Sequence, residues 1–504
     1  MSTIEFRRRA KRGETGAGER RRFRPRLGRV PRAAWVCAAI ACVNAIAWAA
    51  TTPPYWIPDE PASIGYVQYV AENGDVPRYG VTSDLSGEQG IVYGGLPFGV
   101  EGRPAWLKAN SDAMFDLLDA GTADRTRPGQ AGYMINYPPL YYALDAIPYR
   151  IGYGANFLDR LFAMRLLSAL LAGLTVLFVF MFLRELLPST PWSWTVGGLA
   201  VAFQPMFGFM SGGVSNDTLL YTCAAALFFL MARAFRRGVD LKLGVGIGVA
   251  LAAGLLTKGS MLALLPGTAL GLGLIAWRAK GPARRPALRG AAAAAGVGLL
   301  PYGVWLVIGN LILDRQASDT GGVTSSTAGY DLSISGLLSY VWQSVLPKLP
   351  FMADQIPWYV PWTIYFQGFI GRFGWAQYTF PLTWNRIALG LFAVLAGLAL
   401  RELWLSRAAV RARWPELLTY LTMFGGLVLV IEIAAYRYHA TFYGQYFEQG
   451  RYLLPMLALY GAFVALAARG AGRRWGPALG AFLIVLAMGH SLFAQLLTIA
   501  RFYS

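Results

Sequence analysis

Apolar stretches alternate with short basic ones along almost the whole chain. The apolar runs fall near residues 33–50, 161–183, 194–210, 218–232, 243–257, 259–277, 291–312, 386–404, 415–435, 452–468 and 478–500. A helix crosses the hydrocarbon core of a bilayer with about 20 mostly apolar residues, so the pattern predicts about eleven transmembrane helices. Hydrophobic residues make up 55% of the 504 and charged residues 14%, whereas a soluble domain carries roughly a quarter charged residues. Soluble multidomain architectures are excluded, and an all-α polytopic membrane protein is expected.

Charge placement orients the spans. Residues 1–32 hold twelve Arg and Lys with three Glu and show no apolar periodicity, which reads as a disordered basic tail ahead of a transmembrane domain over 33–504. The net charge of +18 comes without an aromatic-interleaved basic fold, so the tail is expected to meet anionic lipid head groups and not nucleic acid. Links such as "RAFRRGVDLK" and "RAKGPARRPALRG" extend the bias: the tail and alternate links together contain 29 of the 45 Lys and Arg. By the positive-inside rule the amino terminus lies inside and "RFYS" outside. Three long segments, 51–160, 313–385 and 436–451, then face outward. The first is rich in Gly, Pro and aromatic residues and reads as ordered. The second is too proline-rich for one straight span and reads as interfacial helices along the outer leaflet.

The candidate chemistry gathers on that outer side. "TTPPYWIPDEPASIGYVQYV" sets Asp59 and Glu60 just beyond the first helix, with Pro61 suited to a helical first turn. Capping alone would account for an acidic pair there, and a capped carboxylate is also an oriented one, as a general base must be. "SGGVSNDTLLY" puts Asn216 and Asp217 at the start of the fourth helix, as an N-cap or as a sugar contact. "LTKGSML" holds Lys258 in a very short link, in a chain with six Lys against 39 Arg. "YRYHATFYGQYFEQGRYLLP" brings Arg437, His439, Tyr443, Glu448, Gln449 and Arg451 to another outer helix mouth. His490 reads as a packing residue. Cys37, Cys42 and Cys223 lie inside apolar runs, and no His/Cys ligand spacing suggests a metal.

Taken in order, "PDEPASIGYVQYVAENG", "NYPPLYY", "SGGVSNDTLLY", "LTKGSML" and "EQGRYLLP" resemble a prokaryotic membrane family of unassigned function within the C-type (GT-C) polytopic glycosyltransferases. Ser63 stands where that family often has His, so no imidazole acts there. The resemblance implies a GT-C-like helical bundle that moves a sugar from a polyprenyl-phosphate donor to a hydroxyl of a glycan, lipid or protein acceptor at the outer face of the cytoplasmic membrane. It implies Asp59 as general base and Glu60 orienting the acceptor. No cofactor is required, although Glu60 leaves a divalent cation possible. Lys258, Arg451 and Arg437 are the expected donor-phosphate ligands, with Arg160 and Arg165 next. Asn216, Asp217, Tyr137, Glu448, Gln449 and His439 are the expected substrate contacts. The rival reading is a transporter or flippase of lipid-linked sugars or envelope precursors, which characteristically keeps its charged site near the bilayer midplane.

The topology is directly testable. Reporter fusions after Ser504 and near Gly87 should both report an extracytoplasmic position; a cytoplasmic signal from either overturns the orientation.

Overall fold

The computed structural model describes residues 30–77, 85–96, 108–127, 130–313, 333–352, 355–357, 359, 361–441 and 448–503, without the side chains of residues 108 and 439–441. Most of the basic tail, Tyr443 and the His439 side chain therefore lie outside the described residues. The chain divides into two units, Met1–Arg32 and Ala33–Ser504, and the second carries the fold.

Helices in chain order are α1 Arg32–Thr51, α2 Glu60–Asn73, α3 Gly87–Gly95, α4 Lys108–Asp119, α5 Leu140–Ile151, α6 Phe157–Leu186, α7 Pro191–Ala202, α8 Pro205–Ser211, α9 Asn216–Arg237 and α10 Leu241–Leu255. They continue with α11 Leu265–Arg278, α12 Arg284–Leu311, α13 Ile334–Val345, α14 Gly368–Gly371, α15 Leu382–Leu405, α16 Arg407–Ala412, α17 Trp414–Thr441, α18 Leu457–Gly470 and α19 Gly472–Tyr503. Short 3-10 turns, among them Gly132–Asn136, Gly259–Leu264 and Gly450–Met456, join several of them. The only sheet among the described residues is a two-residue antiparallel hairpin, β1 Arg372–Phe373 with β2 Tyr378–Thr379. The long helices start where polar side chains satisfy the first free amides: Asn156 accepts from Asp159 N, Ser215 from Asp217 N and Asp240 from Leu243 N.

Nine helices among the described residues are long and apolar enough to cross a membrane. Two of the eleven expected spans differ. The run at 194–210 is not one helix: α7 ends at Ala202 and α8 begins at Pro205, because proline lacks an amide and pushes the residue before it out of helical geometry. Gln204 bridges the break, accepting from Phe207 N and donating to the Phe369 carbonyl. The run at 243–257 folds as α10, fifteen residues long. Both pieces still carry the chain back to the end of the bundle where α1 emerges. Val214 N donates to Glu60, and Lys258 pairs with Asp217.

The two ends of the bundle differ in chemistry. One gathers Asp59, Glu60, Asp217, Lys258 and Arg451. At the other, Glu185 pairs with Arg236 and Arg237 at 2.9 Å each, Arg469 reaches Glu402 at 2.8 Å, and Arg413 donates to Leu186 O at 2.7 Å. The expected outer segment 51–160 is built from α2 to α5. Within 313–385, where interfacial helices are expected, the described helical stretches are α13 and Trp362–Gly371. Along the sides, α12 exposes Leu300, Val304 and Leu311, and α15 exposes Ile387, Val394 and Leu400, as helices facing lipid chains do.

Between helices, close approach depends on glycine. A Cβ on Gly244 of α10 would stand 2.0 Å from the Gly290 carbonyl oxygen of α12, whereas one on Gly246 would meet only Leu230 at 3.8 Å. Gly244→Ala should therefore force α10 and α12 apart and cost about 1–3 kcal/mol, while Gly246→Ala stays near wild type. Thermal melting of the purified protein in detergent checks this, and equal midpoints for the two variants would refute the packing argument.

Candidate active site

The site begins with a buried ion pair. Beyond α1 the chain turns at Pro53 and Pro54, and Tyr55 (φ 69°) and Asp59 (φ 68°) both take left-handed backbone geometry. Glu60, fully buried as the first residue of α2, receives the Arg165 fork from α6: Nε to Oε1 at 2.8 Å and Nη2 to Oε2 at 2.7 Å. Val214 N adds a bond to Oε1 at 3.1 Å and Tyr55 N one to Oε2 at 2.9 Å. Arg165 also donates to the Ala49, Thr52 and Pro53 carbonyls at 2.9, 2.7 and 3.1 Å. One guanidinium thus closes the turn between α1 and α2. Glu60 is consumed in that closure and is not turned toward an acceptor, so the expected orienting and cation-binding roles have no free oxygen to work with.

Asp59 points the other way. The left-handed backbone, which costs on the order of 1 kcal/mol and which Asp tolerates better than most residues, swings its side chain out of the capping position; it makes no cap bond to α2. Its Oδ2 meets Arg451 Nη2 at 2.7 Å, and its Oδ1 accepts from the Tyr133 hydroxyl at 2.6 Å. Arg451 heads the 3-10 turn leading into α18, placed there by an approach of Gly450 to the Gly368 backbone that leaves no room for a Cβ. Asp217, in the first turn of α9, binds Lys258 Nζ through Oδ1 at 2.6 Å and lies 4.0 Å from Arg451 Nη1 through Oδ2. The Tyr452 ring sits 5.2 Å from the Arg451 guanidinium, and the Tyr137 ring 5.4 Å from Lys258 Nζ, both within cation–π range.

Two carboxylates and two cations therefore alternate and cancel in a largely buried place. Burial alone would push the Asp59 carboxyl up, but Arg451, then Lys258 and the Tyr133 bond outweigh it and hold Asp59 below the ordinary carboxylate range. Burial and the neighbouring Asp59 charge push the Tyr133 hydroxyl up, so it remains a proton donor. In this quartet Asp217 Oδ2 and Arg451 Nε and Nη1 are buried without a hydrogen-bond partner among the described residues, as is the hydroxyl of Tyr221, which feels the charges of both. Buried polar atoms are normally paired, so this concentration marks a place shaped for a polar ligand or water.

Residues 42–460 match the family described as Predicted membrane protein (DUF2142). The chain belongs to this family. No curated protein matches it. Among solved structures, this DUF2142 chain is similar to the Archaeoglobus fulgidus oligosaccharyltransferase in its apo form, at 12% identity and TM-score 0.42, over 93% of this chain and 56% of that one. It is also similar to the same enzyme tethered to an acceptor peptide containing the NVT sequon (13%, TM-score 0.44, 93% and 55%). A third similar structure is AglB of that organism with an inhibitory peptide and a dolichol-phosphate (13%, TM-score 0.43, 92% and 56%). The DUF2142 chain spans a little over half the length of the oligosaccharyltransferase, and no residue role passes from that enzyme to it.

The structure brings Asp59, Asp217, Lys258, Arg451 and Tyr137 together and sets other expected residues apart. Asn216 donates to the Tyr142 hydroxyl at 3.0 Å beneath the quartet. Glu448 accepts from Tyr340 OH at 2.5 Å in a second acidic pocket, where Tyr365 binds Glu432. Gln449 heads the 3-10 turn before Arg451. Arg437 stands in α17. Arg160 and Arg165, next in line for phosphate, are both committed elsewhere: Arg160 is fully buried against Glu88 at 2.5 Å and Tyr149. Their signal was present in the sequence, since an Arg inside an apolar helix is costly unless it is paired. Tyr133 and Tyr452 were missed, because nothing in a tyrosine's sequence neighbourhood says which carboxylate or cation it will meet. No group of three or more His, Cys, Asp or Glu able to hold a metal occurs among the described residues.

The two adjacent acids should separate on substitution. Glu60→Gln leaves Arg165 buried without its counter-charge and should cost about 3–5 kcal/mol, seen as loss of folded protein on size-exclusion chromatography or as a much lower melting point. Asp59→Asn also takes a counter-charge from buried Arg451, but Asp217 stays 4.0 Å from that guanidinium, so folding should suffer much less than in Glu60→Gln.

Proposed function

We propose that the chain transfers a sugar from a polyprenyl-phosphate donor to an acceptor hydroxyl at the outer face of the cytoplasmic membrane, with Asp59 as general base. The observation that carries this reading is the Asp59–Arg451–Asp217–Lys258 quartet at the non-basic end of a multi-pass bundle, where a lipid phosphate at the outer leaflet would arrive with its prenyl chain still among the helices. The amino terminus inside and the carboxyl terminus outside belong to the same reading.

In the transfer, the acceptor oxygen attacks the anomeric carbon, its proton passes to Asp59, and the bond from the anomeric carbon to the phosphate oxygen breaks with its electron pair on the departing lipid phosphate. Arg451 can grip two phosphate oxygens with its planar fork, and Lys258 adds a compact charge; together they neutralise the leaving group where water is scarce. Arg451 is held by Asp59, which makes Asp59 a weak base. A donor phosphate competes for that guanidinium, and as Arg451 turns to the phosphate the carboxylate regains basicity. Donor binding thereby switches on the base that the acceptor needs. Asp217 keeps Lys258 in place, and Glu60 acts through the turn it closes. The leaving group is already a phosphate ester, so no divalent cation is required.

Membranes carrying the protein should transfer label from polyprenyl-phosphate sugars without energy input; movement of intact lipid-linked sugar across the bilayer, with no bond broken, would favour a flippase instead. Asp59→Asn should lower turnover by about 10² to 10⁴, the usual worth of a positioned base, with the protein still inserted. Lys258→Met and Arg451→Gln should raise the donor concentration needed, lower turnover, or both. Wild-type kinetics in both variants would move the phosphate site elsewhere.

A further inference from the structure

Asp59 is held by two groups of different kinds. Arg451 is a cation that an anionic ligand can take away. Tyr133 is a neutral donor that no phosphate attracts in the same way, and its bond to Oδ1, at 2.6 Å, is the shorter of the two. The segment carrying it is fixed to α2, the helix that Asp59 precedes. The Gln130 side chain donates to Gly65 O at 3.0 Å and accepts from Arg127 N, and the Gln130 carbonyl lies where a Cβ on Gly65 would be, 1.9 Å away. Gly132 supplies a positive φ of 49° that starts the 3-10 turn Gly132–Asn136. Below it, Met134 Sδ accepts from the Tyr142 hydroxyl at 3.3 Å, and Tyr142 stacks on Tyr66 of α2 with ring centroids 3.9 Å apart. The Tyr133 hydroxyl and the Asp59 carboxylate are thus both referenced to α2, while Arg451 arrives from a remote part of the chain.

We infer that Tyr133 is the positioning residue of Asp59: it keeps the carboxylate aimed after Arg451 has turned to a ligand phosphate. This rests on the reading of Asp59 as the base of a transfer reaction. A hydrogen bond to the ionised carboxylate stabilises the charged form, so its loss moves proton uptake by Asp59 to higher pH; for a bond to a charged group the shift is about one pH unit or more. The ring of Tyr133 is half exposed, so Tyr133→Phe removes the hydroxyl without opening a cavity.

The test uses the full chain in lipid nanodiscs and two independent readouts. Infrared titration follows the protonated-carboxyl band of Asp59, identified as the band missing from Asp59→Asn; in Tyr133→Phe it should appear about one pH unit or more above wild type. In transfer assays the same variant should lose roughly tenfold or more in kcat with little change in KM for the donor, and the acidic limb of its kcat profile should move up in pH with the infrared shift. A purely structural tyrosine would leave the titration of Asp59 where it was. An unshifted band, or a shifted band with wild-type kcat, overturns the inference. If the wild-type protein transfers no sugar, the proposed reaction fails, while the infrared titration still reads the grip of Tyr133 on Asp59.

Discussion

Everything at this end of the bundle depends on the Arg165–Glu60 pair. Burying a guanidinium and a carboxylate costs several kcal/mol each in lost hydration, and the pair survives only because the fork geometry and the added backbone bonds satisfy nearly every remaining donor and acceptor. Those partners come from the end of α1, the α1–α2 turn and the segment entering α9. One interaction therefore locks three chain segments at the point where the apolar bundle meets the segment that begins with α2. The left-handed backbone at Asp59 is tolerable because both sides of the turn are held this way, and the strain is what turns Asp59 toward Arg451 and away from α2.

From that fixed point the quartet follows as a matter of charge. Asp59 and Asp217 alone would be two buried negative charges, and Arg451 and Lys258 alone two buried positive ones; in alternation they neutralise each other over distances of 2.6 to 4.0 Å. Such a cluster is neutral as a whole, and its two cations are shared between carboxylates instead of each being closed by one of them. Arg451 Nε and Nη1 and Asp217 Oδ2 make no hydrogen bond among the described residues, so the quartet leaves hydrogen-bonding capacity unused. A fully saturated pair such as Glu60–Arg165 has no such capacity. The number of donors met separates the two acids, four at Glu60 and two at Asp59, although they are neighbours in sequence.

Much of this was legible beforehand. Long apolar runs must become helices in a bilayer because no other open structure satisfies the backbone there, so α1, α6, α9, α12, α15, α17, α18 and α19 could be read directly. The order of the described parts of residues 51–160 also showed in their aromatic content. The break between α7 and α8 was encoded in Pro205, but a seventeen-residue apolar run concealed it. Shared placement of Asp59, Asp217, Lys258 and Arg451 followed from parity alone: each stands at a helix end separated from the others by an even number of passes.

The sequence by itself determined the class, the bundle and which polar residues stand at the same end of it, because those depend on local hydrophobicity and on the order of spans. Only the tertiary structure decided what each polar residue does there. Whether a carboxylate is consumed or available depends on distances of a few tenths of an ångström between segments more than a hundred residues apart, and on how many donors each oxygen meets. Neither quantity is written in local composition. For that reason Glu60 and Asp59 look interchangeable as letters and differ in the fold, one closing a turn with Arg165 and the other held between Tyr133 and Arg451.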